Sequence, residues 1–372
     1  MASPVPTSGL KEGMSIFRAF QRKNMSKLIL PTDTVDLFLV NLQKLFVDGY
    51  DLPAPQKYSQ LTDGLINQTY VVDGCWILQH VNDIFGAQVN EDIATLTPLL
   101  NQNGVTVPLL LKSMMGMPYV MGENYGLLKG PWRIMTRLEG KTFHFVTSIE
   151  QIRVLARTLA KFHKALHGCH YVFKHTRPGV HDFDRHAKAL ENAVESMSAH
   201  RLYGQVKALF EKIRHLTQFV RYQDVMACSD LRIIHGDPKI SNFLFSDGRI
   251  TGVLDLDTMA RSRAAFDVGD AIRSWCNPHP EDVEPTYEKE YAREALGLYM
   301  EEAKCLSRDE LHSLPNAAPF ITLELAMRFA KDALCEDYFG FDPKIGHGEH
   351  SLMRANAMYL LCTQMLEDSI CL

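Results

Sequence analysis

Two neighbouring apolar stretches, each ending in a particular kind of polar residue, restrict this chain more than any other feature. The first reads Leu231-Arg-Ile-Ile-His235-Gly236-Asp237-Pro-Lys239-Ile-Ser-Asn242-Phe-Leu-Phe245. The second follows as Arg249-Ile-Thr-Gly-Val-Leu-Asp255-Leu-Asp257-Thr258. Ile233 and Ile234 predict a strand that delivers His235, Gly236 and Asp237 onto a loop. Asn242 leads into apolar Phe243, Leu244 and Phe245, a Ser246-Asp247-Gly248 turn reverses the chain, and Ile250, Val253 and Leu254 form a returning strand that ends at Asp255. Two carboxylates and one carboxamide therefore stand at the ends of short strands of a hairpin.

Phosphoryl transfer needs such a set. One carboxylate takes the proton of an acceptor hydroxyl, while a carboxamide and a second carboxylate hold Mg2+ against nucleotide phosphates. The Asp237-x4-Asn242 spacing matches the catalytic loop of protein kinases, and Asp255 stands where that fold puts its second metal ligand, with Asp257 as a helper. Taken singly, His-Gly-Asp is a turn and Asp255 a strand-end cap. The joint pattern points to a kinase-like site with Asp237 as base and Asn242 and Asp255 on the metal. Lys239 is either a cation for the transferred phosphoryl or a solvated loop lysine.

These residues resemble those of the aminoglycoside phosphotransferase (choline kinase-like) family. Further echoes are Asp63-Gly64-Leu65-Ile66-Asn67-Gln68-Thr69-Tyr70, Ile77-Leu78-Gln79, Phe266-Asp267-Val268-Gly269-Asp270 and Met327-Arg328-Phe329, so the likeness runs from about Tyr58 to about Leu366. Within the family, the N-acetylhexosamine 1-kinases are the most similar group. The resemblance implies an α+β, bilobal protein-kinase-like fold, with a small antiparallel-sheet N-lobe over residues 31–138 and a larger, mostly helical C-lobe over 139–372. It also implies ATP and Mg2+ as cofactors, with Asn67, Thr69 and Gln79 near the nucleotide. The acceptor is expected to be an N-acetylated amino sugar, phosphorylated at its anomeric hydroxyl. Arg328, Asp332 and Tyr338 lie in the segment that shapes the family's acceptor pocket. Choline, ethanolamine, homoserine, aminoglycosides and N-acetylmuramic acid are the other acceptors the family suggests, and a non-catalytic nucleotide-binding module is the rival class.

One departure stands out. Kinase-like folds carry a lysine on the third strand, yet no lysine occurs between Lys57 and Lys112, and Gln79 takes the position. A carboxamide can donate a hydrogen bond to a phosphate but brings no charge. The turn at residues 62–65, where a loop would cover the phosphates, holds a single glycine.

Composition narrows the classes. A chain of 372 residues suits two lobes, and 46% apolar with 22% charged residues is ordinary for a soluble protein. A net charge of -5 argues against general nucleic-acid binding, and no apolar run approaches a membrane span. The eight cysteines are scattered without a C-x-x-C pair, as expected of reduced thiols in a cytoplasmic protein acting as monomer or homodimer. Residues 1–30 are mildly basic and read as a disordered leader, a transit peptide, or a misplaced start with Met25 as the true one.

Along the chain, helices are expected over residues 33–47 and 87–101, the second shortened or kinked at Pro98, with Glu91 as a solvated acid. Strands are expected over 58–61, 67–72, 76–81, 107–112 and 132–138, with an Asp73-Gly74 hairpin turn. Residues 136–140 form the hinge, where backbone groups of Thr136 and Leu138 would meet an adenine edge. Beyond Ile149 the pattern is helical. One helix carries the core residue His163, and two more fit between His181 and Ala227. Residues 264–273 read as a loop entering a helix, with Asp267 and Asp270 bracing the catalytic loop. Helices over 285–303, 320–339 and 349–368 complete the chain. His167, Cys169 and His170 lack a fourth ligand for a metal.

Overall fold

The computed structural model describes residues 36–61 and 66–370. The leader expected over 1–30, the start of the helix expected from residue 33 and the turn expected at 62–65 lie outside them. Helix α1 (Leu37–Lys44) is capped by the Asp36 carboxylate, which accepts from the Leu39 N–H, and continues as a wider π turn over Leu45–Gly49. Three antiparallel strands follow: β1 (Tyr58–Leu61), β2 (Gln68–Val72) and β3 (Trp76–His80). Between β2 and β3, Asp73 and Gly74 both take positive φ at the centre of a tight turn closed by the Cys75 N–H on the Val72 carbonyl.

Helix α2 (Val89–Gln102) runs through Pro98 instead of stopping there. The Asn101 and Asn103 amides bond the Thr97 and Leu99 carbonyls and hold the last turn. Strand β4 (Val120–Met121) and strand β5 (Pro131–Thr136) complete a five-stranded antiparallel sheet of order β1-β2-β3-β5-β4.

The strand expected over 107–112 does not form. Pro108 has no N–H, the Val107 N–H is taken by the Asn101 side chain, and the Leu109 N–H by the Thr136 hydroxyl. Only a single bridge, Leu110 to Met135, remains. The short β4 takes the sheet edge, which apolar patterning over so few residues did not announce.

The helical part begins with α3 (Ile149–Ala165), capped by Ser148, with Ile152, Leu155, Leu159 and Phe162 buried along one face. Three helices, not two, precede the hairpin: α4 (Phe183–Ser196), α5 (Tyr203–Leu216) and α6 (Tyr222–Ala227). Strand β6 (Arg232–Ile234) pairs with β9 (Ala260–Ser262), and between them β7 (Phe243–Ser246) and β8 (Arg249–Val253) form the hairpin, turning at Asp247 and Gly248, both with positive φ.

Residues 264–273 are helical from the start, not a loop, as α7 (Ala264–Trp275). Helix α8 (Lys289–Glu302) begins after Pro285, because the Thr286 and Tyr287 N–H groups bond the Asn277 and Gln364 side chains. The short α9 (Arg308–Ser313) carries a Ser307/Glu310 capping box. Last come α10 (Ala317–Cys335) and α11 (His347–Ile370).

Two hydrophobic cores result. A small one joins α1 to the sheet through Leu42, Leu45, Phe46, Val72, Leu78 and Trp132. The large one unites the helical part and also takes in Val89, Ile93, Leu96 and Leu100 of α2. Helix α2 is thus packed with the helices, although it lies between sheet strands in sequence. No helix among the described residues is long and apolar enough to cross a membrane.

Candidate active site

The loop after β6 is held from beneath. Asp267, buried on α7, accepts from the His235 and Gly236 N–H groups, each at 2.7 Å, and pairs with His163 at 2.9 Å. His163 is therefore the core residue expected, and Asp267 the expected brace. Asp270 is not a second brace; it pairs with Arg273 one turn on at 2.8 Å. The His235 ring receives the Asp237 N–H at Nδ1 and donates from Nε2 to the Leu254 carbonyl, which ties the loop to the end of β8. Gly236 has φ +84, and a Cβ there would lie 2.2 Å from the Thr258 carbonyl oxygen, so only glycine fits.

This brings the expected catalytic residues together. Asp237 Oδ2 accepts from Lys239 Nζ at 2.7 Å and from the Asn242 amide at 3.2 Å. The Asn242 amide also bonds the Asp237 carbonyl at 2.7 Å, leaving its oxygen for a cation. Burial lowers the Lys239 pKa, but Asp237, Asp255 and Asp270 outweigh it and hold the ammonium charged well above its ordinary range. Lys239 is thus held in the acidic cluster, although its side chain remains 41% exposed.

Asp255 follows β8 in a left-handed conformation, φ +56, which among non-glycine residues Asp and Asn adopt most readily. Burial, then the neighbouring Asp257 and Asp237 carboxylates, push its carboxyl up to about 6. Carboxylates crowded in this way are what a divalent cation neutralises. No group of three His, Cys, Asp or Glu among the described residues is arranged to hold a metal alone. Mg2+ is held by one or two carboxylates plus substrate phosphates and water, and needs no such group.

Several expected residues take other roles. Asp257, expected to help at the metal, is buried, and its oxygens bond Arg133 at 2.6 and 2.9 Å and Asn67 at 2.6 Å. Asn67 is not free for nucleotide either, since its amide goes to Asp257 and its oxygen to the Asn82 N–H. Gln79 donates to the Thr69 hydroxyl and accepts twice from Arg133 at 2.9 and 2.7 Å. Thr136 closes the Leu109 bonds with both its N–H and its hydroxyl. The N–H and C=O of Leu138 have no protein partner among the described residues. Glu91 meets Lys174 at the surface.

On the acceptor side, Asp332 is fully buried. It accepts from the Asp337 and Tyr338 N–H groups, from His347 and from Ser351, so it positions the following loop and does not line a pocket. The Tyr338 hydroxyl receives Arg177 at 3.0 Å and Arg328 at 3.4 Å.

Two groups escaped the sequence reading. Arg133 is one; a lone charge in the apolar β5 sequence was the signal. The other is Glu324 on α10, buried with one carboxylate oxygen unpartnered, near His181 (3.3 Å) and Arg328 (4.0 Å). Its i−4 spacing from Arg328 was the available hint.

The family model described as the Phosphotransferase enzyme family matches residues 57–302, well over half of the chain, and the chain belongs to that family. Solved structures agree on the fold. A microcompartment-associated aminopropanol kinase is 16% identical, covering 88% of this chain and 97% of its own, with a TM-score of 0.62. An aminoglycoside phosphotransferase from Alicyclobacillus acidocaldarius is 15% identical, covering 88% and 96%, at 0.58. A gentamicin complex of APH(2")-IIa is 14% identical, covering 89% and 97%, at 0.55. The protein is therefore a phosphotransferase with a protein-kinase-like α+β fold.

Proposed function

We propose that this enzyme transfers the γ-phosphoryl group of ATP to a hydroxyl of a small neutral acceptor, an N-acetylated amino sugar at its anomeric position. The observation that carries the reading is the gathering of Asp237, Lys239, Asn242 and Asp255 at the ends of β6, β7 and β8. A structure of a relative of this fold, APH(2")-IIa, is a ternary complex with streptomycin and ATP. Asn242 and Asp255 would hold Mg2+, which supplies charge neutralisation at the phosphates when bound. Asp237 orients the acceptor hydroxyl and takes its proton, and Lys239 offsets charge on the moving phosphoryl group. Leu138 offers one donor and one acceptor to the adenine edge.

Charge supports a neutral acceptor over an aminoglycoside or an amino alcohol. From Asp237 outward the acidic groups already have cations: Asp270 has Arg273, Glu281 has Arg273 and Arg354, and Glu324 lies near Arg328. The Glu324 oxygen that lacks a partner offers an acceptor to a hydroxyl or amide N–H, because a buried polar atom without a partner is costly. Arg328 and Tyr338 complete that wall.

A coupled ATPase assay across neutral sugars, N-acetylated amino sugars, aminoglycosides and amino alcohols tests this. Turnover confined to N-acetylated amino sugars is expected, and Glu324→Ala should raise the acceptor KM while leaving the ATP KM in place. Turnover with cationic acceptors alone would overturn the acceptor assignment.

A further inference from the structure

Arg133 uses all its donors. Its side chain is 4% exposed, and Nε and both terminal nitrogens make five bonds: two to Gln79 on β3, two to Asp257 and one to Asn90 on α2 at 3.1 Å. Asp257, whose side chain is fully buried, also holds Asn67 beside β2. One guanidinium thus joins the sheet with the small core, the helix belonging to the large core, and the turn two residues beyond Asp255. The two cores are otherwise separate hydrophobic clusters.

We propose that Arg133 is a positioning residue that replaces the missing β3 lysine in its structural duty but not in its contact with phosphate. A lysine on β3 would reach the nucleotide as a point charge. Arg133 has no donor left for a ligand. It acts through Asp257, fixing the turn that follows Asp255 and hence the direction of the metal-side carboxylate. It also neutralises Asp257, which would otherwise be a second buried anion beside Asp255. Gln79 is neutral because a second cation there would face Arg133 directly across the β3–β5 pair, in which Gln79 and Arg133 are register partners.

The inference rests on the proposed use of Mg-ATP, and its test separates the two. ATP binding is measured by calorimetry with and without Mg2+ for wild type, Arg133→Gln, Arg133→Lys and the double variant Arg133→Gln/Asp257→Asn, with the ligand-free Tm of each. The double variant removes both buried charges together, so it is the one that keeps its fold if the single change does not. Binding of ATP by the wild type that strengthens with Mg2+ is the condition set by the functional reading; its absence would sink that reading. Given that condition, the variants should lose about 10-fold in Mg-ATP affinity, the low end of what losing a direct partner of a metal ligand costs, because Arg133 reaches Asp255 only through Asp257, with Mg-free ATP binding little changed. Arg133→Lys, which keeps the charge and loses the fork, should recover only part of the loss. If the folded double variant binds Mg-ATP like wild type, or loses both affinities equally, Arg133 is only a structural tie and the proposal fails.

Discussion

Asp237 and Asp255 do different work because their surroundings differ. Asp237 is half-buried and shares Oδ2 between Lys239 and Asn242, so its carboxylate is held in one orientation. Asp237→Asn keeps that shape and removes the proton acceptor. It should lower kcat by about 100- to 10,000-fold with nucleotide affinity little changed. Turnover assays set beside calorimetric ATP titration decide the point, and a fall of less than about tenfold would exclude a base role. Asp255 sits instead in a crowd of carboxylates at a left-handed backbone position. Asp255→Ala should abolish turnover and the Mg-dependent part of ATP binding while the thermal transition stays cooperative. Near-normal turnover would remove Asp255 from the mechanism.

At the scale of elements, the loop between β6 and β7 depends on a close approach that no side chain can enter. Gly236→Ala would meet the Thr258 carbonyl oxygen at 2.2 Å in a backbone conformation that disfavours alanine. It should cost more than about 1 kcal/mol in chemical denaturation and disrupt the Asp237 site, whereas an unchanged midpoint would show that the loop can shift. Strand β3 gives a second case. Gln79→Lys would restore the residue usual in kinase-like folds, yet here it places an ammonium against Arg133. A lower Tm and no gain in ATP affinity are expected, and tighter ATP binding would contradict the account of this strand.

Across the whole molecule, Glu281 links α7 to α11 by pairing with Arg273 and Arg354. Burial alone would raise its pKa, but the two arginines bring it from the ordinary 4.5 down to about 2. Its contribution to stability is therefore complete above about pH 4.5 and lost as pH falls through about 2. Compared across pH 2 to 7, Glu281→Gln should melt below wild type at neutral pH, with the gap closing between those two values. A gap that widened in acid would mean that Glu281 is unpaired in solution.

What the sequence by itself determined was local in its physics. Both Asp-Gly hairpin turns, the apolar face of α3 and the spacing of His235, Asp237, Asn242 and Asp255 follow from positive-φ tolerance, helical period and strand length. Each of these acts over a few neighbouring residues, so each can be read without the fold. Only the tertiary structure decided which buried polar groups meet. Asp257 looked like a metal ligand because it stands beside Asp255 in sequence, but Arg133, far upstream on β5, takes both its oxygens. Asp332 looked like a pocket wall, and the chain curling back from α10 into α11 turned it into a brace. The 107–112 segment had the pattern of a strand and lost it to the Asn101 amide and the Thr136 hydroxyl. In all three the deciding partner comes from outside the pattern that was read. A buried acid or N–H bonds whatever packing puts within reach, and packing is a property of the whole chain.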